Sequence, residues 1–390
     1  NGAVLPMLVR AASRERPSRS FGALYSANTA GCVAGSLAAG FLAIPALGVA
    51  GASLALEGTS LVLALVLVWS GTRDRRQTVA MALPFGAVVA AHALFPDVPR
   101  EVYRARLPEG ARILELREGT ASDVLVAETP DGLRRLWINS SWVAGTGGGH
   151  SALGHLPALF VERPRRAVGI ALGTGQTFAA IFDSGVTELH VVEINPDVVA
   201  LSRRWFGEAN QGLLDRPEVQ VHEEDGRAYL RSGVSGFDVV ALEPLQAWSA
   251  GTSSLYCREF YEDARRALAP GGVVAQWIPL YGQSLEDTRS MVRTALEVFP
   301  EATLWLDDKD GILVLHDRPA IVPLSELDRR IVERKVGASL ARKSLSRAVD
   351  LLSLFVLGPE GLAAWTRGAP VLVEDRPFLE LRAARALGES

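Results

Sequence analysis

Residues 167–195 read AVGIALGTGQTFAAIFDSGVTELHVVEIN. An apolar run at 168–172 meets the turn Gly173-Thr174-Gly175, a helix-like segment follows at 176–183, and a second apolar run at 189–192 ends in Glu193. Strand, tight turn, helix and strand make one βαβ unit. Glycine lets a backbone approach a ligand closely, and the helix N-terminus behind it favours electron-rich groups. Glu193 lies twenty residues after Gly173, near the spacing at which an acid at the end of a second strand meets ribose hydroxyls. The loop reads G-T-G-Q-T rather than G-x-G-x-x-G, so the dinucleotide fingerprint is incomplete. A nucleoside without a pyrophosphate, such as a sulfonium nucleoside, fits the shorter loop at least as well. A βαβ turn that binds nothing would carry the same glycines.

The alternation continues downstream. Residues 196–206 read as a helix with proline in its first turn and Asp197 at the positive end of its dipole. Strands are expected at 219–222, 237–242, 273–278, 302–306 and 311–316, with helices at 260–268 and 285–299. Strands alternating with helices imply a mostly parallel sheet, whose ligands gather at the carboxyl ends of the strands. Gly173, Glu193, Asp225 and Glu243 all follow successive strands. Any one acid alone would serve as a helix cap; four residues at the same edge point to a ligand.

Upstream, alternating runs at 113–117, 124–128 and 133–139, with the turn Thr129-Pro130-Asp131-Gly132, form a small β unit. A glycine loop at 145–149 leads to His150 and to a helix-like segment before the βαβ unit. His150 either lines a pocket or is a surface group.

Residues 1–96 differ in kind. Between Arg19 and Arg73 the only charged residue is Glu57. Runs 23–48 and 52–69 are each long enough to cross a bilayer, for which about 20 apolar residues suffice. Run 78–95 is a shorter candidate with Pro84 and His92 inside it, and residues 3–9 read as the end of a further span, because the chain starts at Asn1 and is expected to begin partway through a longer protein. Ala27, Gly31, Gly35 and Ala39 make a small-residue stripe suited to close helix approach. Arginines at 10, 14, 16 and 19 precede the first full span and those at 73, 75 and 76 follow the second. Both groups belong on the cytoplasmic side by the positive-inside rule, with residues 49–51 as a tight turn opposite. The expected location is integral to a bacterial-type inner membrane, with the soluble domain in the cytoplasm where run 78–95 lies along the interface or re-enters, and on the outer side where that run spans.

The 390 residues suffice for two or three domains. Expected boundaries are a transmembrane helical region at 1–96, a linker and small β unit at 97–145, a nucleoside-binding domain at 146–320 and a C-terminal helical extension at 321–390. Hydrophobic residues make up 48% and the formal charge is -4, which argues against a nucleic-acid surface. Two distant cysteines and six histidines without ligand spacing give no support to a disulfide framework or a metal site.

Five features together resemble the spermidine synthase (polyamine aminopropyltransferase) family. They are the glycine loop with Glu193, then Glu224-Asp225-Gly226-Arg227, then Glu243-Pro244, and the runs Leu255-Tyr256-x-x-Glu259-Phe260-Tyr261 and Leu268-x-Pro270-Gly271-Gly272. Leu24-Tyr25-Ser26-Ala27-Asn28-Thr29, Gln276-Trp277-Ile278-Pro279-Leu280-Tyr281 and Asp375-Arg376-Pro377 resemble its membrane-fused branch. The resemblance implies an α/β fold, with a Rossmann-like class I methyltransferase-type sheet, a small N-terminal β unit and transmembrane α-helices before it. It implies that Gly173, Gly175 and Gln176 lie against the amino-acid portion of the nucleoside. Glu193 would hold the ribose, Asp225 with Gly226 the adenine, and Glu243 the attacking amine. The co-substrate would be decarboxylated S-adenosylmethionine or S-adenosylmethionine itself, without a metal; the acceptor a small-molecule amine; and a homodimer would be expected.

The chain departs from the family at the acceptor. Glu243 stands where aspartate is usual, Gln246 where a second acid is usual, Ala121-Ser122 where a Tyr-Gln pair is usual, and Gly149 where a tyrosine is usual. The nucleoside half is therefore kept and the polyamine half altered, with His150, Gln246, Trp248 and Tyr281 as candidate acceptor contacts, and Trp277 as a further aromatic that either lines this pocket or packs. Three readings stay open: an aminopropyltransferase with an atypical acceptor, an S-adenosylmethionine-dependent methyltransferase, and a non-catalytic membrane transport or scaffold protein.

Overall fold

The computed structural model describes residues 17–71, 83, 86–91, 94, 98–119, 121–147, 151–247, 249, 251–319, 321–376, 378–380 and 382. The chain divides into two compact units, 1–125 and 126–390.

The first unit begins with helix α1 (Pro17–Ala38), which passes through a π-helical turn (Ala39–Ala43) into α2 (Ile44–Gly71). The stretch Gly22–Leu63 is long and apolar enough to cross a membrane by length and composition. The sequence predicts two spans joined at 49–51; among the described residues one candidate stretch of 42 residues meets this test, and it is broken at Gly48. Gly48 has φ +71°, a conformation in which a Cβ is strained. The break frees the N–H of Val49, which donates to Glu118 Oε2 at 2.9 Å. Run 78–95 lies mostly outside the described residues. Helix α3 (Val98–Arg104) and strand β1 (Arg112–Glu118) follow, and the division between the units falls inside β2 (Asp123–Glu128).

The second unit opens with β3 (Arg134–Ile138) and β4 (Ser141–Gly145), an antiparallel hairpin. Strand β4 goes unpredicted by periodicity because its five residues, SWVAG, are too short and too small to alternate. After α4 (Ser151–Phe160) come β5 (Arg166–Ile170), α5 (Gln176–Asp183), β6 (Glu188–Val192), α6 (Pro196–Phe206), β7 (Val219–His222), α7 (Gly226–Arg231) and β8 (Phe237–Leu242). The chain continues through α8 (Arg258–Ala267), β9 (Leu268–Pro279), α9 (Leu285–Val298), β10 (Glu301–Asp307) and β11 (Asp310–His316). Residues beyond 320 form α10 (Leu324–Glu333), α11 (Gly337–Ala341), α12 (Ala348–Leu352), strand β12 (Phe355–Leu357) and α13 (Pro359–Trp365). The expected helical extension at 321–390 thus includes an edge strand, Phe355–Leu357, among its helices.

Among the described residues, these strands form an eight-stranded sheet in the order β12-β10-β11-β9-β8-β5-β6-β7. Strands β5 to β9 are parallel where they pair, and β11, β10 and β12 add antiparallel pairs at one edge. Val239, Val240 and Ala241 on β8 are fully buried, as an apolar central strand between two helical layers requires. Phe237, Tyr256, Phe260, Tyr261 and Phe299 fill the core on one side.

Register positions the site. Ile170 pairs with Val192 of β6 and Leu242 of β8, Val192 with His222 of β7, and Leu242 with Gln276 of β9. Four strands therefore end level, and Ala171, Glu193, Glu223, Glu243 and Trp277 follow along one edge. The order reverses at β5, with β6 on one side and β8 on the other, which is the switch point where such sheets open a crevice.

Candidate nucleoside and acceptor site

A cleft opens at this switch point, lined among others by Gly173, Thr174, Gln176, Thr177, Glu243, Gln246 and Trp277. The loop into it is wound tightly. Ala171, Gly173 and Gly175 all have positive φ, at 68°, 53° and 81°. A Cβ on Gly173 would meet nothing within 4 Å, so open space lies against this backbone. The sequence reading missed Ala171, an L-residue held in a conformation that costs roughly 1–2 kcal/mol. Its N–H donates to Val192 O at 3.0 Å, which is the bond that holds it there.

Glu193 is 7% exposed. Its Oε2 accepts the N–H of Leu172 at 2.8 Å and its Oε1 that of Asn195 at 2.9 Å. Burial pushes its carboxyl above the usual carboxylate range, opposed by the N–H groups of Asn195, Leu172 and Ile194. The side chain thus clips the glycine loop to the end of β6, and any ribose contact uses lone pairs beyond these two. Gln176 lines the cleft and places its Nε2 against Gly145 O and Thr174 Oγ1, both at 2.9 Å. Both N–H groups are then committed to tying β4 to the loop.

Asp225 caps α7: its Oδ1 accepts from the N–H groups of Arg227 and Ala228 at 3.0 and 2.8 Å. Gly226 is required by packing, because a Cβ there would lie 2.4 Å from Ile170 Cγ2. The Asp225 turn is therefore seated directly on the strand that carries the glycine loop.

Glu243 is half-buried in the cleft, and Thr177 Oγ1 donates to its Oε2 at 2.6 Å. Sequence reasoning passed over Thr177. The signal was its place in the first turn of the loop helix, where a side chain faces the neighbouring strand end. Gln246, 8% exposed, lines the same wall, and its Oε1 has no hydrogen-bond partner. Tyr281 stands beyond it. Burial pushes its hydroxyl up to about 12, the charges of Asp310 and Glu243 add to this, and a hydrogen bond with Gln246 opposes it. Trp277 stacks edge-on with Tyr281, centroids 6.4 Å apart, and its Nε1 donates to Asp310 Oδ1 at 3.0 Å. The structure thus brings Glu243, Gln246, Trp277 and Tyr281 together; His150 and Trp248 lie outside the described residues.

A glycine loop at the switch point of a parallel sheet, with acids after the adjoining strands, defines a Rossmann-like domain of the methyltransferase type. Residues 148–305 match the family "Spermine/spermidine synthase domain". The polyamine aminopropyltransferase of Nitrosomonas europaea is 32% identical over 198 residues, 47% of this chain and 59% of that protein. Polyamine aminopropyltransferase 2 of Pseudomonas aeruginosa is 29% identical over 319 residues, 75% of this chain and 86% of that protein. The crystal structure of spermidine synthase from Thermotoga maritima superposes with a TM-score of 0.55 at 18% identity, over 65% of this chain and 87% of that one, a likeness of fold. Over residues 148–305 the chain is thus similar to the spermine/spermidine synthase domain, and it spans little more than half the length of the first of these relatives.

Proposed function

We propose that this chain is a membrane-anchored aminopropyltransferase that uses decarboxylated S-adenosylmethionine and an amine acceptor other than a plain polyamine. The observation that carries this reading is the level ending of β5 to β8. It sets the open glycine loop, Glu193, the Asp225 turn and Glu243 along one crevice, with Glu243 hydrogen-bonded to the helix behind the loop. Gly173, Gly175 and Gln176 take the aliphatic arm of the nucleoside, Glu193 the ribose, and Asp225 with Gly226 the adenine.

The chemistry asks little beyond positioning. The amine nitrogen forms a bond to the methylene next to the sulfonium, and the S–C bond breaks. Its electron pair stays on sulfur, which leaves as a neutral thioether, methylthioadenosine. The amine loses one proton. Glu243 attracts and orients the protonated amine before attack and receives or relays that proton. The Thr177 O–H fixes the carboxylate that does so.

The N-terminal stretch supplies the anchor. The arginines flanking it favour an inner membrane with the soluble domain on the cytoplasmic side, and pairing of two copies through the synthase domain is part of the same reading.

The test is product identification by mass spectrometry, with purified full chain, decarboxylated S-adenosylmethionine and a panel of amines. Methylthioadenosine together with an aminopropylated amine is expected. S-adenosylhomocysteine formed from S-adenosylmethionine would replace this reading with methyl transfer. Failure to bind either nucleoside in calorimetry would leave no transferase.

A further inference from the structure

Beyond the Trp277 end of the cleft stands an exposed cation, Lys309. Lys309 lies in the turn between β10 and β11, and antiparallel pairing of β11 with β9 sets Asp310 opposite Pro279. The lysine is thereby delivered to the end of the sheet where Trp277 and Tyr281 stand. Its Nζ lies 5.0 Å from the Tyr281 ring centroid and 5.6 Å from that of Trp142 on β4. A cation within about 6 Å of an aromatic centroid is held by the negative ring face, and here two rings share one ammonium. Asp310, next in the chain, accepts from Trp277. Nearer the reacting end, Glu243 is the one carboxylate among the described residues that line the cleft. Gln246, three residues on, offers the cleft wall a neutral carbonyl whose Oε1 is buried without a partner.

We infer that Lys309 occupies the place a second substrate ammonium would need, so that the site takes a primary amine with a single positive charge and an uncharged far end. This deepens the aminopropyl-transfer reading and rests on it. A diamine held by Glu243 at one end would bring its other ammonium towards Tyr281, whose face Lys309 already covers and where the lysine's charge opposes it; the carboxylate of Asp310 beside them is held by Trp277 Nε1. A monoamine of the same length meets Glu243 with its ammonium, Gln246 Oε1 with an N–H, and the rings with its alkyl chain. Lys309 is then the residue that sets acceptor specificity.

The test compares n-butylamine with 1,4-diaminobutane on the purified full chain, following methylthioadenosine release. The native chain is expected to favour butylamine at least tenfold in kcat/KM. Lys309→Met is expected to shift the diamine-to-monoamine ratio at least tenfold towards the diamine, chiefly through KM, and Lys309→Arg to keep the native ratio. Preference of the native chain for the diamine, or an unchanged ratio in Lys309→Met, overturns the inference. The same ratio is read without turnover from quenching of tryptophan fluorescence by each amine. If neither amine reacts but butylamine outbinds diaminobutane, the transfer reading falls and the charge argument stands. If diaminobutane outbinds, the charge argument falls.

Discussion

At Gly226 a single hydrogen in place of a methyl decides whether the Asp225 turn can sit on the sheet. A Cβ there would come within 2.4 Å of Ile170 Cγ2, a branched side chain on a central strand that has nowhere to go. Gly226→Ala is expected to cost about 1–3 kcal/mol in denaturant unfolding, the usual price of overpacking, and to weaken nucleoside binding in calorimetry. An unchanged midpoint would mean that α7 moves freely on β5. Glu243 makes the complementary case, because its role is chemical and not steric. Glu243→Gln keeps the shape and the Thr177 bond but removes the charge. It is expected to lower turnover about a hundredfold or more while nucleoside affinity stays within about threefold. Full turnover in this variant would remove the carboxylate from the acceptor site. Glu193 shows why position in sequence did not disclose a residue's duties. Its place after the second strand was legible, and so was a local bond to Asn195, but its bond to Leu172 depends on a loop folding back from 21 residues away.

Elements carry the next level of argument. Helix α5 was readable to its ends, because a glycine pair precedes it and an apolar stripe runs through it. Strand β4 was not, and the β10–β11 turn carried no signal that it would reach the cleft. Both matter at the acceptor end, through Trp142 and Lys309. The apolar stretch Gly22–Leu63 is the element with the plainest physical consequence. More than about 20 apolar residues exposed along a helix are stable in a bilayer and not in water. The full chain is expected to stay with membranes after alkaline carbonate extraction, and a variant lacking residues 22–63 to be released. Extraction of the full chain into the supernatant would remove the anchor.

Across the whole second unit, buried imidazoles couple stability to pH. His155 is fully buried, with Nδ1 2.8 Å from Ser184 Oγ and Nε2 2.9 Å from Ser339 Oγ. Ser184 gives its own proton to Ala180 O, so His155 Nδ1–H donates to Ser184 and Nε2 accepts from Ser339. That pattern suits only the neutral ring. Burial pulls its value down from 6.5 to about 4, and burial does the same for His316. The unfolded chain therefore binds more protons than the folded one between these values. Stability is complete above pH 6.5 and falls as pH drops towards 4, with a slope of about 1.4 kcal/mol per pH unit for each ring. His316 Nε2 has no partner, so His316→Met loses no hydrogen bond at that atom and is expected to lower the slope of denaturant midpoint against pH in this window, His155 and the likewise depressed His222 carrying the rest. A slope unaltered by this substitution would place the acid sensitivity elsewhere.

What the amino-acid sequence determined by itself was whatever is encoded locally. Apolar runs marked β5 to β9, the glycines marked the turn, and an acid after each of β6, β7 and β8 marked the ligand edge, because strand, turn and helix preferences act over a few residues. Tertiary structure decided what depends on register between distant segments: the level strand ends, the bonds that occupy Glu193 and Gln176, the Thr177–Glu243 pair, and the meeting of Lys309 with Trp142 and Tyr281. Each of these joins side chains brought together by packing and sheet pairing, and a contact of that kind leaves no periodicity in the chain. The glycine loop and the acids at the strand ends were therefore legible in the sequence, and the cluster of Trp142, Trp277, Tyr281 and Lys309 became so only once β11 had been paired with β9.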